Sequence, residues 1–357
     1  MRRRLVVSLV GTFLASLSFG AAVCAADNAP NPSPQISGPI VHDNLAVYLV
    51  HGTPARGGVP LTLQEALANG SVKVNETGSV NALTVENTGD QEVFVQAGDI
   101  VKGGRQDRVL SVDLLLPPHS GQVSIAAFCV EQGRWSARGG EDGRQFSSAA
   151  TAMPSHDAKL AMRAYAGAAA ASANAPLAPQ AYRADTGSNQ QEIWKSVHAT
   201  QDRLARSVGA PVAAPASPSS LQLSLENEKL KQAQSAYIEK LGAAGETAAD
   251  IVGYVVAVNG KISGGDVYAS NALFRKMWRK QLDAAVTEAI GDKNEAGASP
   301  PAVPDVAAFL AAAPAGTKAE RVLNADVKLI TADGSALLYA ETARADGSWV
   351  HRNFLAK

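Results

Sequence analysis

The chain has 357 residues, 32 basic and 33 acidic side chains, and a formal charge of -1. A general nucleic-acid-binding protein normally carries a basic surplus, so this balance argues against one. The two cysteines exclude a disulfide-rich scaffold and any zinc site built from three or four thiolates. At roughly 100–200 residues per domain, the length allows two or three domains or one large one.

The first 26 residues have the three parts of a secretory signal peptide: a basic start at 2–4, an uncharged apolar run over 5–23, and small residues at the exit. We expect cleavage near Ala25 or Ala26. An uncleaved membrane anchor is the alternative, because the run nearly reaches the ~20 residues that span a bilayer. The residues before Cys24 do not favour a lipoprotein. We therefore predict a secreted or periplasmic bacterial protein with no stable membrane span after cleavage.

Removing the signal peptide changes the charge balance. It takes away three arginines and no acidic residue, so the excess of acidic side chains rises from one to four. It also removes Cys24 and leaves Cys129 as the single cysteine, so no internal disulfide can form in an oxidising compartment. Packing must therefore hold the mature fold together.

The next part of the sequence predicts mostly strands. A flexible Pro-rich leader occupies residues 27–35, and short strands separated by Gly, Pro and Asn turns follow over 36–132. Val109–Leu116 reads as one of these strands. Thr62 and Glu65 have capping-box spacing, which predicts a short helix. Turns at about ten-residue spacing favour an antiparallel layer, either a sandwich or a barrel.

Residues 133–188 form a loop and Ala-rich region, for which helix, surface loop and disorder all remain open. Residues 189–290 predict amphipathic helices and one hairpin. In chain order, the predicted elements are a helix capped by Asn189 that ends before Gly209, a helix from Leu223 to Leu241, a strand from Ile251 to Val258, a turn at Asn259-Gly260, and a helix that starts near Ser270 or Asn271.

A second linker is predicted at 291–304, and 305–357 reads as one helix and three strands that pack on the main domain. The predicted fold class is α+β. It combines an antiparallel, sandwich-like, β-rich N-terminal layer with amphipathic helices and a short β-rich C-terminal segment.

Two stretches, Leu83–Leu110 and Phe128–Trp135, carry a resemblance to a known family. They are similar to the ARG and rhodanese-phosphatase-superfamily-associated protein domain family, in which ARG stands for ADP-ribosylglycohydrolase. Gly253–Ile262 and the helix around Trp278 fit the same family, so the resemblance covers residues 36–290, and Val350–Phe354 continues it. The resemblance carries over no catalytic set. It implies ADP-ribose or a related nucleotide as a ligand class by association.

The densest polar cluster in the sequence is Lys102–Arg108. Its two glycines allow the backbone to approach a ligand closely, and successive N–H groups there can bind an anion. Arg105 and Arg108 can each grip a phosphate or carboxylate with two hydrogen bonds. Asp107 can orient an arginine or bind a ribose hydroxyl. The alternative is an ordinary hairpin with solvated charges.

A second cluster follows the strand that ends near Cys129. Glu131 and Arg134 either line the same site, with Trp135 as a stacking wall, or form a structural ion pair, and both interpretations stay open. Cys129 follows Ala126-Ala-Phe128 and is interpreted as a buried small hydrophobe; a nucleophile there would need a lowered pKa and a nearby base such as histidine. The predicted ligand-binding residues are Gly103, Gly104, Arg105, Gln106, Arg108, Arg134 and Trp135.

The six histidines, at 42, 51, 119, 156, 198 and 351, are scattered. None has the i, i+4 spacing of a helical metal pair, and no phosphate-binding, dinucleotide-binding or serine-hydrolase motif occurs. We therefore predict neither a metal nor a cofactor. His156 follows Pro154-Ser155 and reads as a helix start.

Two functional hypotheses remain. The favoured one is a non-enzymatic binding or interaction module, whose partner is an anionic small molecule or an envelope protein. The alternative is an enzyme that acts on ADP-ribose or a related nucleotide or glycosidic derivative, with Asp107 or Glu131 as acid/base if burial moves the carboxyl pKa toward neutrality. The absence of a catalytic motif favours the first hypothesis, and the predicted export opposes the second.

Overall fold

Three sheets and seven α-helices make up the computed structural model, which describes residues 35–54, 57–139, 143, 145–171, 186–293, 298–324 and 327–357. The predicted signal peptide (1–26) and almost all of the predicted leader (27–35) lie outside these residues. The α+β prediction is confirmed, with strands first, helices in the middle and strands again at the C-terminus.

The strands in chain order are β1 (Gln35–His42), β2 (Leu45–His51), β3 (Leu61–Thr62), β4 (Val72–Glu76), β5 (Ala82–Asn87), β6 (Val93–Val95), β7 (Ile100–Gly103), β8 (Arg108–Leu110), β9 (Leu114–Leu116), β10 (Gly121–Cys129), β11 (Phe146–Ser148), β12 (Ile251–Val258), β13 (Lys261–Tyr268), β14 (Thr317–Asn324), β15 (Val327–Asp333), β16 (Leu337–Arg344) and β17 (Trp349–Ala356). The helices are α1 (Leu63–Ala68), α2 (His156–Ala171), α3 (Thr186–Val208), α4 (Leu221–Leu225), α5 (Glu228–Leu241), α6 (Asn271–Gly291) and α7 (Val303–Ala311).

The largest sheet joins the two ends of the described chain. Its eight strands run β1-β2-β12-β13-β17-β16-β15-β14, and every neighbouring pair is antiparallel. Strand β13 pairs with β17 through Gly264–Tyr268 and His351–Leu355, which brings the C-terminal strands into the same sheet as the N-terminal hairpin. The chain from Ser33 onward accordingly groups into one compact unit.

Alternate residues of β2 enter two different cores, as the period of two in a strand requires. Val47 and Leu49 belong to the main core, whereas Tyr48 and Val50 belong to a second core on the other face of the sheet. Helix α7 covers that second face with Val306 and Leu310, so both faces of the sheet are packed.

The other two sheets are a six-stranded one in the order β11-β7-β8-β10-β5-β4 and a three-stranded one in the order β3-β6-β9. The prediction of a single strand over Val109–Leu116 is wrong. Strand β8 ends at Leu110 in one sheet, and β9 begins at Leu114 in another. The chain leaves the first sheet there because Asp113, in the gap, is buried and bonded to His351 of the eight-stranded sheet.

Local signals placed several helix ends correctly. Thr62 forms the predicted capping box, with Glu65 N–H donating to Thr62 Oγ1 at 3.1 Å and Thr62 N–H donating to Glu65 Oε2 at 2.8 Å. Ser270 caps α6 as predicted, and α2 starts at His156.

Two helix predictions are wrong. Helix α3 begins at Thr186, a turn before Asn189, so Asn189 lies inside the helix. The single helix predicted over Leu223–Leu241 is divided in two, because the Asn227 side chain accepts hydrogen bonds from the N–H groups of Lys229 and Leu230 and starts α5.

Helix α6 packs against β12 and β13 of the eight-stranded sheet and against α3 and α5. Its apolar stripe of Phe274, Trp278 and Leu282, which recurs every four residues in the sequence, is buried in the core. Two of its charged residues, Lys280 and Glu288, are buried as well. Across the described residues, no helix is both long enough and apolar enough to cross a membrane.

Candidate functional site

The two predicted polar segments meet in space. The backbone N–H of Val130 donates to Asp107 O at 3.1 Å, and the N–H of Asp107 donates to Glu131 Oε2 at 3.0 Å. The Gln106 side chain adds a hydrogen bond to Glu131 O at 3.1 Å. The turn between β7 and β8 is therefore bonded to the segment that follows β10.

Four charged side chains from these segments form what we call the arginine cluster: Asp107, Glu131, Arg134 and Arg138. Arg138 grips Asp107 with two hydrogen bonds, Nη1 to Oδ2 at 2.7 Å and Nη2 to Oδ1 at 2.8 Å. Arg134 binds Glu131 in the same way, with Nε to Oε1 and Nη2 to Oε2 both at 2.7 Å. The structural ion pair that the sequence left open between Glu131 and Arg134 is thus present. Arg138 was not predicted from the sequence, in which the only signal for it was its position four residues after Arg134.

Two serines complete the arginine cluster and tie it to a distant segment. Ser220 Oγ donates to Asp107 Oδ2 at 2.8 Å and accepts from Leu223 N at 3.1 Å, so it also caps α4. Ser217 Oγ donates to Glu131. Burial raises the pKa of Glu131, but the hydrogen bonds from Arg134 and Ser217 outweigh that effect and leave the pKa below its usual value. Glu131 is therefore ionised at neutral pH.

The glycines at 103 and 104 serve packing rather than ligand approach. The N–H of Gly103 donates to Asp107 Oδ1 at 3.0 Å, and that of Gly104 donates to Gln145 O at 3.1 Å. A Cβ on Gly104 would lie 2.2 Å from the Phe146 ring. Both glycines also have positive φ. The prediction that these N–H groups bind an anion is therefore wrong, because both already donate to protein oxygens.

Arg108 is fully buried beneath this turn. Its Nη1 donates to Gln106 O at 2.9 Å, its Nη2 lies 3.6 Å from Glu76 Oε2, and its Cζ lies 5.9 Å from the centre of the Trp135 ring. Cys129 Sγ donates to Gln106 Oε1 at 3.0 Å, and burial raises its pKa to about 11. A thiol with this pKa stays protonated at neutral pH, which agrees with the interpretation of Cys129 as a buried hydrophobe.

Of the predicted ligand-binding side chains, only Arg105 and Trp135 are well exposed. Trp135 retains 53% of its accessible surface. Arg134 Nη1 donates to Gly104 O at 3.1 Å. Arg105 follows Gly104 in the chain and Trp135 follows Arg134, so this hydrogen bond joins the two segments that carry the exposed side chains. The N–H of Arg105 donates to Glu76 Oε1 at 2.9 Å, which fixes its backbone. We call this exposed pair the Trp135 surface.

A second polar centre, which we call the histidine relay, joins Asp266 and His351 of the eight-stranded sheet to Asp113, which lies between β8 and β9. His351 Nδ1 lies 2.7 Å from Asp113 Oδ2, and its Nε2 lies 2.9 Å from Asp266 Oδ1. Burial alone would lower the pKa of His351, but the two carboxylates raise it to about 9. In return, His351 holds the pKa of both aspartates below the usual value despite their burial. The relay therefore carries an imidazolium between two carboxylates at neutral pH.

Sequence reasoning missed the histidine relay, because its members come from three distant parts of the chain. Asp266 also accepts hydrogen bonds from Tyr254 and, at 2.8 Å, from Asn353. Beside it, a cavity of about 50 Å³ opens between the sheet, α2 and α6, and its lining includes Lys159, Arg163 and Glu288. We call this space the polar cavity.

A wider groove of about 960 Å³ lies beside the start of the predicted polar segment. Its cations are each paired within the protein: Lys102 with Glu226 at 2.8 Å, Lys231 with Glu228 at 3.4 Å, and Arg279 with Asp283 at 3.0 Å. Among the residues that the structure describes, no three His, Cys, Asp or Glu side chains are grouped so as to hold a metal ion.

The chain belongs to the ARG and Rhodanese-Phosphatase-superfamily-associated Protein domain family, whose model matches residues 33–355. The match extends beyond the 36–290 resemblance seen in the sequence and takes in the C-terminal strands. This agrees with the shared eight-stranded sheet. No match to the chain was found among curated proteins or among solved structures.

Proposed function

We propose that this protein is a non-enzymatic binding module that takes an anionic small molecule with a flat, stackable face on the Trp135 surface. The observation that carries the proposal is the exposed indole of Trp135, in a segment that the Arg134–Gly104 hydrogen bond joins to the turn bearing the exposed Arg105. In the described part of the chain, the other large hydrophobic side chains with comparable exposure are Val41, Val59 and Val322, none of which is aromatic.

An exposed indole offers a face on which a planar ligand can stack, and such aromatic contacts contribute about 0.5–1.5 kcal/mol beyond the area they bury. Arg105 adds a solvated guanidinium, whose planar donors match the oxygens of phosphate or carboxylate. The two groups together suit a nucleotide-like ligand, with a ring for Trp135 and an anion for Arg105.

The Trp135 surface also has a rigid support. Arg134 is held by both oxygens of Glu131 and by the carbonyl of Gly104, so the segments that carry Trp135 and Arg105 are joined. The buried guanidinium of Arg108 lies close to the ring of Trp135. A preorganised surface loses less conformational entropy on binding than a mobile one.

The alternative, an enzyme that uses Asp107 or Glu131 as acid/base, finds no support in this geometry. Both carboxylates are fully buried, and the oxygens of each accept hydrogen bonds from arginine and serine donors. The low pKa of Glu131 also opposes a general acid at neutral pH. The compartment that we propose remains the periplasm or the exterior, on the strength of the signal-peptide pattern.

The test is calorimetric titration with AMP, ADP-ribose and ribose 5-phosphate. We expect AMP and ADP-ribose to bind more tightly than ribose 5-phosphate, which lacks the ring. Trp135→Ala should weaken AMP at least about tenfold, a change of about 1.4 kcal/mol. Arg105→Ala should weaken all three probes and reduce the salt dependence of binding.

The chain offers a matched control in a second tryptophan–arginine pair. Arg352 Cζ lies 4.3 Å from the centre of the Trp349 ring on β17. Trp349→Ala should leave the affinity for AMP unchanged. The proposal fails if none of the three probes binds, or if Trp349→Ala and Trp135→Ala weaken AMP equally.

A further inference from the structure

Two side chains that line the polar cavity each have one buried atom without a hydrogen-bond partner. Arg163 Nη1 and Glu288 Oε2 are both shielded from solvent, and neither has a hydrogen-bond partner among the described residues. Both residues line the cavity. Glu288 itself is only 8% exposed. Because buried charged groups are nearly always hydrogen-bonded, a free donor and a free acceptor in one cavity call for a partner.

The remaining atoms of the two side chains are held firmly. Glu288 Oε1 accepts from Ser263 Oγ at 2.8 Å, and Arg163 Nη2 donates to Asn353 Oδ1 at 2.9 Å. These contacts fix the position of both groups and leave one oxygen and one nitrogen without a hydrogen bond; the oxygen has only a longer ion-pair contact with Lys159. The polar cavity therefore has the preformed character of a binding site.

Two cations of the polar cavity, Lys159 and Arg163, come from the same helix, α2. They stand four residues apart, so their Cβ atoms lie on one face about 5–6 Å apart. Lys159 Nζ lies 3.7 Å from Glu288 Oε2. The unbonded oxygen of Glu288 is thus near Lys159, and Arg163 leaves α2 one helical turn further along.

The charges around the polar cavity are balanced. Lys159 and Arg163 face Glu288 and Asp266, and Asp266 is already neutralised by His351. A simple anion would meet the free oxygen of Glu288, and a simple cation would meet Lys159 and Arg163. A ligand that carries both charges matches both free atoms.

We propose that the polar cavity binds a small amphoteric molecule of the amino-acid class, with its carboxylate at Arg163 and its amino group at Glu288. A cavity needs about 10–15 Å³ of such space to hold one water, so about 50 Å³ corresponds to roughly three to five heavy atoms. This volume favours glycine, and the longer β-alanine and γ-aminobutyrate test the size limit. The site is separate from the Trp135 surface and does not depend on the function proposed there.

The experiment compares these three amino acids with compounds that carry one charge only. Calorimetric titration and thermal unfolding of the whole protein are measured with glycine, β-alanine and γ-aminobutyrate, and with acetate, methylammonium and inorganic phosphate. We expect at least one amino acid to bind ten times or more tightly than any single-charge compound. It should raise the melting temperature in a concentration-dependent way.

Two variants assign the ends of the ligand. Glu288→Gln keeps the shape of the side chain, and in this variant the amino acid should bind no more tightly than acetate. In Arg163→Met, the amino acid should bind no more tightly than methylammonium. A change in selectivity of this kind would not follow from a loss of stability, so either variant suffices if the other does not fold. Glu226→Gln, in the wider groove, and Trp135→Ala should leave amino-acid binding unchanged.

Several results would overturn the proposal. It fails if no amino acid binds, or if acetate, methylammonium or phosphate binds as tightly as the best amino acid. It also fails if both variants keep the wild-type selectivity, since the ligand would then bind elsewhere.

Discussion

The arginine cluster and the polar cavity both bury charged side chains, but only the cluster satisfies them. In the cluster, Asp107 and Glu131 each receive two hydrogen bonds from one arginine and a third from a serine. In the cavity, one oxygen of Glu288 and one nitrogen of Arg163 have no hydrogen-bond partner within the described ranges. Arginine density in the sequence marked the first region. The four members of the cluster are paired there, although Arg108 Nε and Nη2 and Glu76 Oε2 beside it also have no hydrogen-bond partner within the described ranges.

The difference separates structural from functional burial of charge. A saturated network fixes the geometry of the backbone around it, and the arginine cluster does so by joining the β7–β8 turn, the segment after β10 and the start of α4. An unsaturated pair is unfavourable in isolation, so its persistence is a reason to look for a ligand or ordered water.

The largest effect should come from breaking the arginine cluster. Asp107→Ala removes the carboxylate that binds buried Arg138 with two hydrogen bonds, and we expect the free energy of unfolding to fall by about 3–5 kcal/mol. Arg105→Ala, two residues away but exposed, should change it by less than about 0.5 kcal/mol. Urea unfolding of both variants measures the contrast. A loss below about 1 kcal/mol for Asp107→Ala would show that the cluster is not structural.

The histidine relay should give a smaller, pH-dependent effect. The folded-state pKa of His351 is raised to about 9 from 6.5, so its contribution is fully present below pH 6.5 and is lost as the pH rises through 9. From the size of this shift, we expect the free energy of unfolding to fall by on the order of 3 kcal/mol over that window. The paired aspartates act in the opposite sense, since their lowered pKa values give a contribution that is lost as the pH falls below about 4.

Urea unfolding across pH 6 to 9.5 tests this dependence. His351→Gln should lose the fall in stability between about pH 6.5 and 9. The exposed His198→Gln serves as the matched control and should retain it. An unchanged pH profile in His351→Gln would assign the dependence to other groups.

The smallest effect compares one serine from each region. Ser220 and Ser263 each donate to a buried carboxylate at 2.8 Å. Ser220→Ala should cost about 1–2 kcal/mol of unfolding free energy, because it removes a partner of Asp107 and the cap of α4 together. Ser263→Ala should cost less than about 0.5 kcal/mol, because water in the polar cavity can replace the hydroxyl. Equal losses of stability for the two variants, measured by thermal or urea unfolding, would contradict the idea that water can enter the polar cavity but not the arginine cluster.

Some features followed directly from local sequence signals. The Thr62 capping box, the Ser270 cap and the Phe274–Trp278–Leu282 stripe each depend on residues within a few positions of one another. Local signals failed where a distant partner decided the outcome. The run Val109–Leu116 divides between two sheets because Asp113 bonds to His351, more than two hundred residues away.

The candidate site shows the same limit. Sequence reasoning selected the segments that meet around Asp107 and Glu131, but it gave Gly103 and Gly104 a role in ligand binding. The structure gives them a role in packing against Gln145 and Phe146. Arg138, Ser217 and Ser220 were missed, because nothing in their own neighbourhood indicates a buried carboxylate partner.

The amino-acid composition of the chain argued against a basic nucleic-acid binder and excluded a disulfide scaffold. The periodicity of its apolar residues predicted an α+β fold. Both conclusions need only composition and short-range spacing. Which charged groups are saturated and which remain free was decided by the tertiary structure alone. A charge is paired only when folding brings a partner within hydrogen-bonding distance, and residues such as Arg163 and Glu288 are too far apart in the chain for any local pattern to relate them.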